Sequence, residues 1–120
     1  MARILIAEDE FLIAMSLAAA LEAEDHNVRQ AKDGRQAVEV LREFTPDVVV
    51  TDYMMPRMDG AELIRTIRGT PGMDGVRVVL MSAVPETTLV PQRLGYDAFL
   101  SKPFRETDLV TLIGRILPKA

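Results

Sequence analysis

Three short apolar runs constrain this chain more than any other feature. They are RILIAED (residues 3–9), DVVVTD (47–52) and VRVVLMS (76–82), and each ends on an acid or a hydroxyl. Unbroken apolar runs of this length are the pattern of strands covered on both faces, and such strands belong to parallel sheets. Segments of helical period lie between them. Ile13, Ala14, Leu17 and Leu21 form one stripe between Phe11 and Glu24. Ala37, Val38, Leu41 and Phe44 form a second, Leu63, Ile64 and Ile67 a third, and Leu109, Leu112, Ile113 and Ile116 the last.

Weaker signals complete the alternation. VRQA (28–31) and AFLSK (98–102) read as two further strands. Asp33-Gly34 is a turn whose acid can cap the helix after it. Pro46 stops that helix, GTPGMDG (69–75) is a loop by composition, and Pro118 follows the end of the last helix. The crossover between Ser82 and Gly95 is the exception. Pro85 can open a helix there, but Pro91 falls where its interior should be, at a cost of ~3 kcal/mol in a regular helix. A short or broken fourth helix is predicted. The resulting order, strand then helix five times over, implies an α/β domain with a doubly wound parallel sheet and helices on both faces.

Composition excludes several classes of function. The 120 residues are 48% hydrophobic and 27% charged, enough for one domain with a real core and no need of metal or disulfide staples. There is no cysteine, in keeping with a reducing cytoplasm. No apolar run approaches the ~20 residues that span a bilayer, and the N-terminus lacks a secretory h-region. A net charge of −4, without basic blocks or interleaved aromatics, argues against direct nucleic-acid binding.

In parallel sheets, ligands bind beyond the carboxyl ends of the strands. Those ends deliver Glu8, Asp9 and Glu10 from the first strand and Asp52 from the third. They deliver Ser82 from the fourth and Lys102 from the fifth. Crowded carboxylates repel one another, so they call for a cation. A donor set of oxygens, without histidine or cysteine, selects a hard ion, Mg²⁺ or Mn²⁺. Lys102 adds a point charge suited to a phosphoryl oxygen, and Ser82 adds a hydroxyl. A carboxylate can attack phosphorus to give an aspartyl-phosphate, and phosphoryl transfer asks mainly for positioning and charge neutralisation.

The stretches ILIAEDE, DYMMPRMDG, MSA and SKPF resemble the receiver domain of two-component response regulators, and the resemblance covers essentially the whole chain. It implies a flavodoxin-like sheet of five strands in the order 2-1-3-4-5. It also implies a phospho-acceptor at Asp52 and Mg²⁺ ligands at Glu8, Asp9, Asp52 and the Met54 backbone carbonyl. Lys102 and Ser82 would hold the phosphoryl group, Phe99 would be the switch aromatic, and the Lys102-Pro103 bond would be cis. The implied donor is a histidine kinase or histidine phosphotransfer protein. The implied readers are a downstream protein and a phosphorylation-dependent homodimer built on the fourth helix, fifth strand and fifth helix. The implied role is that of a bacterial, cytoplasmic signalling domain rather than an enzyme, able to take phosphate from small donors and to shed it. Residues 1–120 then make one receiver domain with no output domain. Three residues depart from the family pattern. Glu8 stands where aspartate is frequent, Ser82 where threonine is, and Phe99 where tyrosine is.

Two other functions fit the same strand order less well. A phosphatase with an aspartyl nucleophile wants a second acid two residues on, where this chain has Met54. A flavodoxin-type cofactor binder wants a Ser/Thr/Gly-rich phosphate loop after the first strand, where this chain has Glu8-Asp9-Glu10. A phosphohistidine carrier would rest on His26 alone, read here as a surface residue away from the acids.

Overall fold

The computed structural model describes residues 1–117 and shows the predicted alternation. Its elements are β1 (Arg3–Ala7), α1 (Phe11–Glu22), β2 (Asn27–Ala31), α2 (Gly34–Leu41), β3 (Val48–Asp52) and α3 (Gly60–Arg68). They continue with β4 (Arg77–Ser82), α4 (Glu86–Leu89), β5 (Ala98–Ser101) and α5 (Glu106–Ile116). The five strands pair in parallel in the order β2-β1-β3-β4-β5. Pro118 lies outside the described residues.

Strand periodicity divides the core into two layers. Leu5, Val49, Val78 and Leu80 face one side, where Ala37 and Leu41 of α2 and Leu63, Ile64 and Ile67 of α3 pack on them. Ile4, Ile6, Val48, Val50, Val79 and Met81 face the other, under Leu17 and Leu21 of α1 and Leu109 and Ile113 of α5. Each such side chain, fully buried, contributes about 1.5–3 kcal/mol of transfer free energy. Glu8 continues the Ile4–Ile6 parity just past β1, where its backbone N–H still donates to the Ala31 carbonyl at 3.0 Å. Asp52 continues the Val48–Val50 parity at the end of β3.

The helical stripes hold with two adjustments. Ile13 is 36% exposed, and Ala18 takes the buried place in α1 beside Ala14, Leu17 and Leu21. Phe44 is buried but lies beyond α2, which ends at Leu41, before Pro46 is reached. His26 is not a free surface residue. Its Nδ1 accepts a hydrogen bond from the Ala2 N–H at 3.0 Å, and burial lowers its pKa from 6.5.

The fourth crossover is short, as Pro91 requires. One turn of α-helix starts after Pro85 and gives way to a 3-10 turn, Val90–Gln92, and Arg93 then adopts a left-handed φ of 50°. Buried Leu89 and Leu94 anchor it to the sheet. Arg68, at the end of α3, clasps its far side. Its Nε donates to the Gly95 carbonyl at 2.9 Å, its Nη1 to the Val76 carbonyl at 2.8 Å and its Nη2 to Asp97 Oδ2 at 2.8 Å.

Asp33 caps α2, accepting from the Gln36 N–H at 2.8 Å, and its other oxygen receives Nε and Nη2 of Arg57. The Gln36 N–H, aided by Arg57, holds the Asp33 carboxyl below its usual range. Asp33→Ala is expected to cost on the order of 1–2 kcal/mol through the lost cap. The measurement is a lowered urea midpoint at unchanged slope, with Asp33→Asn retaining most of the stability.

Candidate functional site

The carboxyl ends of β1, β3 and β5 bring three acids and one ammonium together. Lys102 Nζ lies 3.0 Å from Glu8 Oε1 and 3.2 Å from Asp52 Oδ2. Carboxylate oxygens of Glu8, Asp9 and Asp52 all lie within 4.8 Å of one another. Glu8 and Asp52 are buried, whereas Asp9 is exposed. The second Glu8 oxygen accepts the Glu10 N–H at 3.1 Å, which fixes the carboxylate as the chain turns into α1. In the sequence Glu10 is the third of the strand-end acids. It instead takes the N-cap position of α1 and stands outside the three-acid cluster.

Burial dominates the electrostatics. It raises the Glu8 pKa from 4.5 to about 7, against the hydrogen bonds from Glu10 and Lys102 that lower it. Burial likewise raises the Asp52 pKa, opposed mainly by the Lys102 charge. Burial works against the Lys102 charge too, but the Glu8 hydrogen bond and the Asp52 and Glu8 charges outweigh it, and its pKa rises. One ammonium cannot balance three carboxylates. The unbalanced set, made only of oxygens, fits a hard divalent cation.

Other predicted site residues surround this centre. Ser82 is buried at the end of β4, one strand from Asp52. Its Oγ accepts the Val84 N–H at 2.8 Å and donates to the Val84 carbonyl at 3.1 Å. The Lys102-Pro103 peptide is cis. Lys102 itself falls just past β5, which ends at Ser101. Phe99, on β5, is half-buried with its ring centroid 5.9 Å from that of Tyr96. The Met54 side chain is 66% exposed.

Gly60 falls on the helical stripe of Leu63, Ile64 and Ile67, but periodicity does not show why it must be glycine. A Cβ there would collide with the Asp52 carbonyl, because α3 starts directly against the backbone of the nucleophile candidate. The Gly60 N–H donates to the Tyr53 carbonyl at 2.8 Å, closing the loop between β3 and α3. The signal in the sequence is the glycine that ends DYMMPRMDG.

A parallel sheet that gathers three acids and a lysine at its carboxyl edge is built to hold a divalent cation beside a phosphoryl group. The chain belongs to the response regulator receiver domain family, whose model matches residues 4–114. It is 40% identical over 117 residues to the Transcriptional regulatory protein PdtaR of Mycobacterium tuberculosis (strain CDC 1551 / Oshkosh), covering 92% of this chain and 54% of that protein. It is 32% identical to the Response regulator MprA of Mycolicibacterium vanbaalenii, covering 96% of this chain and 50% of that one. The chain spans about half the length of the curated relatives it matches. Among solved structures, the chemotaxis response regulator CheY4 of Vibrio cholerae superposes with a TM-score of 0.90 at 26% identity, covering 98% of this chain and 99% of that one. The response regulator TrrA of Thermotoga maritima, solved in complex with Mg(2+)-BeF, superposes at 0.86 with 25% identity, covering 98% and 100%. The chain is thus a two-component phospho-acceptor domain. Its family binds Mg²⁺ at an acidic pocket and exchanges signals with histidine kinases and downstream effectors. Among the described residues no helix is long and apolar enough to cross a membrane.

The raised Glu8 pKa sets a pH dependence. Between about 4.5 and about 7 the folded chain holds a proton on Glu8 that the unfolded chain has released. Stability therefore falls as pH rises through that window. Chemical denaturation in EDTA from pH 5 to pH 8 is expected to show this slope in the wild type and a flatter one in Glu8→Gln.

Proposed function

We propose that Asp52 is the phosphorylated residue. The observation that carries this reading is its buried carboxylate, held 3.2 Å from Lys102 within the only three-acid cluster among the described residues. An Asp52 carboxylate oxygen attacks the phosphorus of a partner's phosphohistidine. The P–N bond breaks, the imidazole leaves with the bonding pair, and an acyl phosphate forms on Asp52. Glu8, Asp9, Asp52 and the Met54 carbonyl would hold Mg²⁺, which when bound supplies neutralisation of charge on the phosphoryl oxygens. Lys102 exchanges its contact with Asp52 for one with a phosphoryl oxygen. The Ser82 hydroxyl leaves the Val84 carbonyl to donate to another. Phe99 then follows as the strand-borne aromatic of the switch, a population shift favoured by these phosphate contacts.

The same reading includes self-phosphorylation from small donors, self-dephosphorylation and a cytoplasmic location. Its output surface is the fourth crossover with β5 and α5, from which Val90 projects 57% exposed and through which a phosphorylated pair of chains would associate. Incubation with acetyl phosphate and Mg²⁺ is expected to give a hydroxylamine-sensitive phosphate adduct by intact mass, lost in Asp52→Ala and in EDTA. Equal labelling of Asp52→Ala would overturn the assignment.

The donor would dock at the head of α1, which follows Glu8 and Asp9. Phe11 and Leu12, 70% and 78% exposed, head α1, and Met15 follows one turn later. Between α1 and the loop after β5 lies an apolar cavity of about 570 Å³, lined by Leu12, Ile13, Leu17, Pro103 and Phe104, which reaches Lys102. Apolar surface of this kind beside a reactive group suits a helical partner that must bring its phosphohistidine close. Leu12→Glu is expected to slow transfer from a phosphorylated histidine kinase at least tenfold while leaving labelling by acetyl phosphate unchanged. Equal loss with both donors would show damage to the site instead of to docking.

A further inference from the structure

A second concave surface lies between α2 and the loop that leaves Asp52, and it shares Lys32 and Gln36 with the cavity beside Glu8 and Asp9. It encloses about 690 Å³ and carries four cationic side chains, Lys32, Arg35, Arg42 and Arg57, against two acids, Asp33 and Glu39. That balance runs against the chain, whose net charge is −4. Among the described residues, Lys32, Arg35 and Arg42 have no carboxylate within ion-pair distance. Arg35 on α2 and Arg42, the residue that caps its C-terminus, are seven positions apart and both exposed, so they lie along one helix face.

Arg57 is held differently from the rest. Its backbone occupies the left-handed region at φ 67°, uncommon for a residue with a side chain. Two of its nitrogens grip Asp33 Oδ2, at 2.8 and 2.6 Å, yet its side chain remains 51% exposed to the cleft. The loop beneath it is fixed as well, because the Gly34 N–H donates to the Met58 carbonyl at 3.1 Å and a Cβ on Gly34 would strike that carbonyl. The cleft therefore presents one preorganised guanidinium and three free cations on a rigid frame. Half-buried Val38 and Met58 lie among them and give the cleft an apolar floor.

We infer that this cleft docks an acidic protein segment, one that seats an apolar side chain on Val38 and Met58 between carboxylates paired with Arg35, Arg42 and Arg57. The lining selects this occupant. A small phosphate would leave the apolar floor unused, and no aromatic is present to stack a base. The α2 N-terminus offers no free anion site, because the Asp33 carboxylate already occupies it. None of its lining residues belongs to the three-acid cluster, and the loop of residues 53–59 joins the two, so a partner seated here touches the segment that leaves the phospho-acceptor.

The test is an amide NMR titration of the full chain with a synthetic peptide carrying one leucine flanked on each side by acidic residues. Two reference titrations use a peptide of equal charge with glycine for that leucine, and inorganic pyrophosphate. Shifts confined to residues 32–42 and 57–58 are expected. They should weaken at least tenfold in apparent affinity in Arg35→Glu/Arg42→Glu and several-fold with the glycine peptide. The surface location of both arginines leaves the remaining spectrum as a control for folding. Absence of binding, shifts centred elsewhere, insensitivity to the double substitution, or equal binding of pyrophosphate or the glycine peptide would each overturn the inference.

Discussion

The ammonium of Lys102, held between Glu8 and Asp52, is the interaction on which the rest of this structure depends. Two carboxylates buried side by side would otherwise repel across a medium that screens poorly. Bringing a lysine to them requires the ends of β1, β3 and β5 to meet at one edge, although β4 lies between the last two. Parallel strands with right-length crossovers provide that convergence, because every strand then ends on the same side of the sheet. The alternation that buries Ile4, Ile6, Val48 and Val50 under α1 and α5 also aims Glu8 and Asp52 in that direction. Core packing and site geometry are thus products of one periodicity.

Much of this was legible in the sequence, for identifiable reasons. Strands buried on both faces write themselves as apolar runs, so β1, β3 and β4 stood out. The strand-end acids, Asp52 and Lys102 followed from where those runs stop. The capping role of Asp33 was legible from the Asp-Gly pair, but its guanidinium partner was not, because Arg57 arrives from 24 residues away. Helical stripes mark a face without its width, so Ile13 fell on the stripe yet lies at the surface. His26 looked free because nothing local reveals that the N–H of Ala2, just before β1, is aimed at its ring. The reach of Arg68 across three acceptors is likewise a tertiary fact, spread over residues 76–97.

The fourth crossover shows how a local rule and a global demand are reconciled. Pro91 denies the chain a full helix, yet two strands must still be joined across the sheet face. The chain answers with one helical turn, a 3-10 turn and a left-handed residue. It recovers cohesion from two buried leucines and from the Arg68 clasp instead of from a helical hydrogen-bond ladder. The polar links of this segment reach other elements as well. Gln92 Nε2 donates to the Tyr53 hydroxyl at 3.2 Å, one residue from Asp52, and the Tyr96 hydroxyl donates to Glu86 at 2.7 Å.

Gly60 and Gly34 bracket the loop that leaves Asp52, and at both positions backbone meets backbone where a methyl group would not fit. Such joints have no side chain to act as a cushion. A small displacement of the Asp52 carbonyl has no rotamer to absorb it and must move the first turn of α3. At the other end of the loop, a displacement of Met58 must move the first turn of α2. The span therefore works as a stiff linkage with two bearing points, carrying motion from the strand end to both helices on one face of the sheet.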